Sequence, residues 1–368
     1  MALDFAKRIV GYGCYNLHFD RGLGACPATG GKPLLTYIRS LYKKVNHIKV
    51  IIFRNAMAGE VLPDRAIQLY RQDGTINQEL IDNLRALVEE ARRLEPQFWV
   101  QICIWHYHAL KYKDLSEYPE HAPVVLAPNW DLGLEDRLAA YYAPSASRQA
   151  AFAEHKRLFE RIGREFGGYD NVIFELGNEM RIRDDDRQLP IPPNTGQLDP
   201  NKAGDERNLK AWLATNLQAL RNAAPGPIRV CTSTGIDNEY IFFKAPGGLA
   251  VDFFDFHSGE WGMTDDTVAR HSDRNSTKYP AGIRGCRDNA AVYKPGGKVL
   301  INTDGLFRST DSVENSGEFA QLMQNWVGEA FQKGVSFVTK GFYPPKASGV
   351  SRPMLDALEH AANSIPEP

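Results

Sequence analysis

Short runs of hydrophobic residues recur along the chain, and each is followed by a loop and then by a longer amphipathic stretch. The runs are nearly continuous and rich in valine, isoleucine and phenylalanine, which is typical of strands buried on both faces of a parallel sheet. The pattern therefore predicts eight parallel strands. They span residues 8–16, 47–53, 98–105, 171–176, 228–233, 251–256, 298–303 and 335–340.

Amphipathic stretches with helical spacing separate or follow these runs. They cover residues 76–94, 147–166, 208–223, 317–334 and 353–364. In the first of them, Leu80, Leu84 and Leu87 fall on one helical face. Eight strands alternating with helices predict an α/β fold, a (β/α)8 TIM barrel that forms a single domain over residues 1–368. A doubly wound open sheet is the alternative, and the lack of a GxGxxG motif after the first strand argues against it.

Three of the loops that follow strands are long. They cover about residues 106–146 after the third strand, 180–207 after the fourth and 258–297 after the sixth. In barrels of this kind, the loops after the strands form the active-site face. We therefore expect binding and chemistry at the carboxyl ends of the strands.

Composition and charge narrow the classes of function. The 368 residues are 43% hydrophobic and 24% charged, and the formal net charge is -2. This balance gives no electrostatic reason to expect nucleic acid or an anionic membrane surface as a partner. No apolar stretch approaches the roughly 20 residues needed to cross a bilayer. The first residues lack the apolar core of a signal peptide, so an intracellular protein and a secreted one without its signal both stay open.

The five cysteines are widely spaced and form no CxxC pair, so we expect no zinc cluster. Cys103 and Cys231 lie in hydrophobic runs, where cysteine usually acts as a small hydrophobic residue. A single disulfide between Cys14 and Cys26 stays open.

The most informative segment is NVIFELGNEM at 171–180, which places Asn178 and Glu179 directly after the fourth strand. Apolar walls at the rim of a barrel raise the pKa of a carboxyl group, as a general acid requires. The pair is therefore a candidate for acid–base chemistry. A helix N-cap or an ordinary loop pair is the alternative interpretation.

The segment FAEHKRLFERIGREFGGYDNVIFELGNEM resembles the third helix and fourth strand of clan A glycoside hydrolases, especially family 5. The segment WLATNLQALRNAAPGPIRV resembles the next helix and the fifth strand of that family. The resemblance is specific over residues 147–234 and looser elsewhere. It implies a glycosidase without a cofactor, in which Glu179 is the acid/base and Asn178 binds the sugar 2-hydroxyl.

Other strand ends fit the same family pattern. Arg54 stands where the family has an arginine that supports the nucleophile, and a surface arginine is the alternative. His106 and His108 follow the third strand, where the family often has a substrate-binding histidine. His257 lies near the family's His-x-Tyr position, but residue 259 is glycine, so the expected tyrosine is missing. A structural histidine is the alternative interpretation for each of the three.

The seventh strand departs from the family pattern. The family ends this strand with a nucleophilic glutamate, whereas KVLINTDGL places Asp304 there. Glu260, in the loop after the sixth strand, is the competing carboxylate. Aromatic residues such as Trp105 and Trp261 lie in or next to the same loops, and their rings suit the apolar faces of sugars, with ordinary packing as the alternative for each.

Together these residues predict hydrolysis of a β-linked glycosidic bond in an oligo- or polysaccharide. Glu179 protonates the leaving oxygen and Asp304 attacks the anomeric carbon, with retention of configuration. Inversion, with Asp304 as the general base for a water molecule, is the alternative. The sugar, the position of cleavage along the glycan and the oligomeric state are not determined by the sequence.

Two other functions stay open. A non-catalytic carbohydrate-binding barrel is favoured by the aspartate in place of glutamate and by the missing tyrosine. A metal-dependent hydrolase is disfavoured because the His-x-His pair follows the third strand, whereas the amidohydrolase pattern places it on the first. We therefore expect no metal, although four histidines could serve as ligands, namely His18, His106, His108 and His257.

Overall fold

A computed structural model of the chain describes part of the sequence at residue level. The described residues are 10–14, 35–36, 39, 46–52, 69–71, 73–94, 98–105, 140–178, 180, 203–234, 249, 251–256, 299–305 and 335–341.

Eight strands occur within these ranges, and each coincides with a predicted hydrophobic run. They are β1 (Val10–Cys14), β2 (His47–Ile51), β3 (Trp99–Cys103), β4 (Val172–Glu175), β5 (Arg229–Thr234), β6 (Phe253–Phe256), β7 (Val299–Gly305) and β8 (Val335–Gly341). Every residue of β3 and β4 is buried, which is why these strands are mostly hydrophobic in sequence.

The helical predictions that fall on described residues are confirmed. The helices are α1 (Gln78–Arg93), a 3-10 helix (Ala146–Arg148), α2 (Gln149–Phe166) and α3 (Ala203–Ala223). Helix α3 begins five residues before the predicted 208–223, because its first turn lacks the hydrophobic periodicity on which the prediction depended. The predicted helices at 317–334 and 353–364 lie outside the described residues.

The chain divides into two compact units. The first contains Met1–Val50, Ala86–Gln101 and Asp252–Pro368, and the second contains Ile51–Arg85 and Ile102–Val251. The predicted single domain over residues 1–368 stays a prediction.

In the first unit, five strands pair in parallel in the order β6, β7, β8, β1, β2. In this order the first strand, β1, pairs with the last strand, β8, as a barrel topology requires. At the start of β3, the Trp99 N–H donates to the Asn46 carbonyl oxygen at 2.8 Å. The predicted parallel α/β class is therefore confirmed.

In the second unit, β4 and β5 pair in parallel, with Glu175 opposite Cys231. Cys103 and Cys231 are buried and form no disulfide within the described part of the chain, and their burial agrees with their positions in hydrophobic runs. Helices α2 and α3 pack closely against each other, because Gly163 of α2 presents no side chain to Leu220 of α3.

The contact at Gly163 gives a test of this packing. A Cβ at this position would lie 3.3 Å from the Leu220 carbonyl carbon and closer still to its oxygen. Overpacking costs about 1–3 kcal/mol, and alanine returns about 1 kcal/mol of helix propensity. Because main-chain atoms cannot rotate away, we expect Gly163→Ala to lower the free energy of unfolding by up to about 2 kcal/mol.

Urea unfolding followed by circular dichroism measures this difference. Gly226→Ala is the matched control, since nothing lies within 4 Å of an added Cβ there. Equal unfolding midpoints for the two variants would contradict the close helix contact.

Candidate active site

Main-chain hydrogen bonds continue the parallel pairing beyond the last residues of β3 and β4 in the second unit. The Ile104 N–H donates to the Glu175 oxygen at 2.9 Å, and the Leu176 N–H donates to the Cys231 oxygen at 3.0 Å. The carboxyl ends of β3, β4 and β5 are therefore held in register past the strands themselves. This edge is where the sequence predicts the chemistry.

Asn178 is fixed at this edge by its main chain. Its N–H donates to the Trp105 carbonyl oxygen at 2.8 Å, and both residues are fully buried. The bond joins the segment after β3 to the segment after β4. It therefore fixes the position of the residue that precedes Glu179.

Gly177 lies against the side chain of Met180. A Cβ on Gly177 would lie 2.7 Å from Cγ of Met180, whose side chain is fully buried. Residue 179 is thus flanked by buried residues on both sides. The absence of a side chain at position 177 is what allows Met180 to pack here.

Trp105 packs in the interior. The sequence left both a sugar-binding role and a packing role open for it, and it is fully buried. Its ring centroid lies 4.6 Å from that of His155, 5.6 Å from that of Trp212 and 6.1 Å from that of Tyr141. Trp105 is therefore a packing residue beneath the rim, and its carbonyl group is what reaches the candidate site.

Asp304 lies in β7 of the first unit, beside an irregularity in the strand pairing. From Asn302 to Gly305, β7 advances three residues, while β8 advances two, from Phe337 to Thr339. One extra residue is therefore inserted into β7 at this point, as in a β-bulge. Bulges bend a strand and change the direction in which its side chains leave it.

Glu175 is a buried carboxyl group within the fourth predicted strand. It ends β4, is fully buried and lies three residues before Asn178. Charged residues are almost never fully buried unless they are paired. The presence of a charged residue inside the hydrophobic run NVIFEL was the signal that could have drawn attention to Glu175.

Of the other predicted site residues, seven lie outside the described ranges, and their placement stays a prediction. They are Arg54, His106, His108, Glu179, His257, Glu260 and Trp261. Among the residues that the structure does describe, no three metal-binding side chains form a group that could hold an ion. Within the same ranges, the helices are too short or too polar to cross a membrane.

No family model matches the chain, and no curated protein matches it in sequence. Solved structures do match. A Bacteroidetes-affiliated family 5 cellulase superposes with a TM-score of 0.58 at 14% identity, covering 99% of this chain and 97% of its own. The chain has the fold of family 5 glycoside hydrolases. The resemblance inferred from residues 147–234 is therefore confirmed for the fold.

Two further structures extend this likeness. A family 5 enzyme from Prevotella bryantii B14 has a TM-score of 0.54 at 13% identity, covering 97% of this chain and 96% of its own. Endo-glycoceramidase II from Rhodococcus sp., solved with a cellobiose-like imidazole, has a TM-score of 0.54 at 13% identity. The match covers 96% of this chain and 78% of that enzyme. All three neighbours are glycosidases, the class of enzyme predicted from the sequence.

The packing of Met180 over Gly177 can be tested by a double-mutant cycle. Gly177→Ala forces a Cβ into the Met180 side chain, and we expect a loss of about 1–3 kcal/mol in the free energy of unfolding. Met180→Ala alone leaves a cavity and costs about 2–5 kcal/mol. In the double variant the clash is gone, so the added cost of Gly177→Ala should fall below about 0.5 kcal/mol.

Chemical denaturation of the four proteins gives the coupling energy. Gly168→Ala is the control, since the nearest atom to its added Cβ is Pro225 Cγ at 3.5 Å. Strictly additive effects of Gly177→Ala and Met180→Ala would disprove this close contact.

Proposed function

We propose that this protein is a retaining glycoside hydrolase that cleaves a β-linked bond in an oligo- or polysaccharide. The observation that carries the proposal is the hydrogen bond from the Asn178 N–H to the Trp105 carbonyl oxygen. In a fold shared with family 5 glycosidases, it holds Asn178 just past the carboxyl end of the fourth strand, and Glu179 is the next residue in the sequence.

The fold proposed for this activity is a single-domain (β/α)8 barrel over residues 1–368. Parallel pairing within each unit and the adjacency of β1 and β8 support it. In such a barrel, the carboxyl ends of all the strands lie on one face. Glu179 and Asp304, which follow or end such strands, would then belong to the same pocket.

The proposed reaction has two steps. In the first, the Glu179 carboxyl group gives its proton to the glycosidic oxygen, while the Asp304 carboxylate attacks the anomeric carbon and the leaving group departs. In the second, Glu179 removes a proton from water, and the oxygen of that water displaces Asp304 from the same carbon. Two inversions give net retention, and both carboxyl groups return to their starting states.

The strand geometry around Asp304 supports direct attack. An aspartate carboxylate stands about 1.5 Å farther back than a glutamate carboxylate on the same backbone, which is the length of one C–C bond. Retaining enzymes hold their carboxyl groups about 5–5.5 Å apart, so this difference matters. The extra residue in β7 between Asn302 and Gly305 changes the path of the strand at Asp304. We propose that it compensates for the shorter side chain.

The remaining residues are assigned by the family resemblance. We propose that Arg54 supports the nucleophile and that His106, His108 and His257 bind the substrate. The amide of Asn178 binds the sugar 2-hydroxyl, and its full burial also suits a second role in holding the segment that contains Glu179. The loop after the sixth strand contributes to the sugar cleft through Glu260 and Trp261.

The neighbours suggest which glycans to test first. The Prevotella bryantii enzyme was solved with a xyloglucan tetradecasaccharide, and the Rhodococcus enzyme with a cellobiose-like imidazole. Xyloglucan and β-glucans are therefore the first substrates in a screen. Aryl β-glycosides extend the screen to substrates with leaving groups of known acidity.

A non-catalytic carbohydrate-binding barrel is the second candidate function. Asp304 in the position of the family's glutamate, with Gly259 in place of the tyrosine, favours it. Binding of a β-glucan by calorimetry without release of reducing sugar would support this alternative and overturn the first.

Glu179→Gln tests the acid/base assignment. The amide cannot transfer the proton, so we expect kcat for a substrate with a poor leaving group to fall about 100- to 10,000-fold. An activated dinitrophenyl β-glycoside needs no protonation in the first step, so glycosylation of the enzyme should be slowed much less. Steady-state and burst kinetics on the two substrates measure the contrast.

Glu79→Gln, at an exposed site in the first turn of α1, is the control for the loss of one carboxylate. The unfolding free energy of Glu179→Gln should stay within about 0.5 kcal/mol of wild type, as for a site outside the core. Unchanged cleavage of a natural glycan by Glu179→Gln would refute the assignment.

The stereochemistry of the product tests Asp304. Direct attack predicts that the first-formed sugar from a β-glycoside is the β-anomer, observed by proton NMR before mutarotation. An α-anomer would mean that water attacks with Asp304 as a general base. Asp304→Asn should remove the activity by either route, and Glu260→Gln is the comparison. Full activity of Asp304→Asn would exclude both roles and direct attention to Glu260.

A further inference from the structure

A buried histidine links two helices and the chain before them in the second unit. Trp212 Nε1 of α3 donates to His155 Nδ1 of α2 at 2.9 Å, and His155 Nε2 lies 2.8 Å from the Tyr141 hydroxyl oxygen. His155 and Tyr141 are fully buried, and Trp212 is 4% exposed. Both nitrogens of the imidazole ring are therefore engaged away from water.

The partners determine which nitrogen carries the proton. An indole N–H can only donate a hydrogen bond, so His155 Nδ1 must accept with its lone pair. In the neutral ring the proton is then on Nε2, which donates to the Tyr141 oxygen. An imidazolium would direct its Nδ1–H at the Trp212 N–H and break that bond. His155 is therefore a neutral ring in a single tautomer.

This hydrogen-bonded group supports Trp105 directly. The His155 and Trp105 rings meet edge to face with centroids 4.6 Å apart, and Tyr141 and Trp212 contact the same indole. The carbonyl oxygen of Trp105 in turn accepts the Asn178 N–H at 2.8 Å. A continuous set of contacts thus runs from His155 through Trp105 to the residue before Glu179.

We infer that His155 is a positioning residue for the proposed acid/base Glu179, acting through Trp105 and Asn178. The inference rests on the proposed function. It adds a role for Tyr141, His155 and Trp212, none of which carries a charge or touches the reacting atoms. Their contribution is to fix the direction in which Trp105 presents its carbonyl group to Asn178.

A positioning role predicts a selective kinetic defect. A displacement of about 1 Å at a reacting group can cost about 100-fold in rate. The hydrogen bond between Tyr141 and His155 is separated from Asn178 by two contacts, so its loss should cost less. We expect Tyr141→Phe to lower kcat about 10-fold on a glycoside with a poor leaving group. KM and the burst rate on an activated dinitrophenyl β-glycoside should change less than about 2-fold, since that first step needs no proton from Glu179.

Tyr70→Phe is the control. Tyr70 lies in the same unit and is 3% exposed. Burial raises the pKa of the Tyr70 phenol, so this variant also removes a neutral hydroxyl. Its hydroxyl is not a partner of His155, whose two nitrogens are taken. A general loss of packing would affect both tyrosine variants alike.

A measurement on the ring itself completes the test. In wild type, nitrogen-15 NMR should show His155 as the Nε2–H tautomer, with Nδ1 unprotonated. Trp212→Phe keeps an aromatic ring but removes the indole N–H, so the His155 resonances should shift toward a mixture of tautomers. The same variant should repeat the leaving-group dependence of Tyr141→Phe.

The outcomes separate this inference from the proposed function. If wild type cleaves β-glycosides, Glu179→Gln is slow, and the two tyrosine variants show the same leaving-group dependence, the positioning role is overturned and the function stands. A protonated Nδ1 in wild type would also overturn it. If wild type cleaves no glycoside, or Glu179→Gln keeps full activity, the proposed function and this inference both fail.

Discussion

The hydrogen bond between the Asn178 N–H and the Trp105 carbonyl oxygen sets the geometry of the candidate site. Both residues are fully buried, so no water can replace either partner. Leaving such a group unsatisfied costs about 1–3 kcal/mol, which makes the bond hard to break while the surrounding side chains stay packed. Because Glu179 follows Asn178 directly, the bond also fixes the point from which the proposed acid/base residue starts.

The strands were predictable because burial on both faces leaves a signal in the sequence. β3 and β4 are buried at every position, and apart from Gln101 and Glu175 their residues are hydrophobic or cysteine. The start of α3 was predicted late because its first turn has no hydrophobic periodicity. The extra residue in β7 could not be predicted at all, since a bulge is defined by pairing with β8 and not by the strand's own residues.

The direction of the side chains at the candidate site also could not be predicted from the sequence. Trp105 and Asn178 each follow a strand and carry a polar group on the side chain. Nothing in their spacing distinguishes a packing role from a binding role. His155 was hidden for another reason, because a polar residue in an amphipathic helix is ordinarily assigned to the exposed face. Its position among Phe152, Leu158 and Phe159 was the available signal, since these residues share its side of α2.

The two proposed catalytic carboxylates depend on different kinds of constraint. The residues on either side of Glu179 are fixed locally, Met180 by packing over Gly177 and Asn178 by its main-chain hydrogen bond to Trp105. Asp304 depends on the path of the main chain, because it lies where β7 carries one residue more than β8. On this bulged strand a glutamate would carry its carboxylate about 1.5 Å farther than the aspartate does. The shorter side chain and the bulge therefore determine together how far the carboxylate of the proposed nucleophile extends. Neither determines that distance alone.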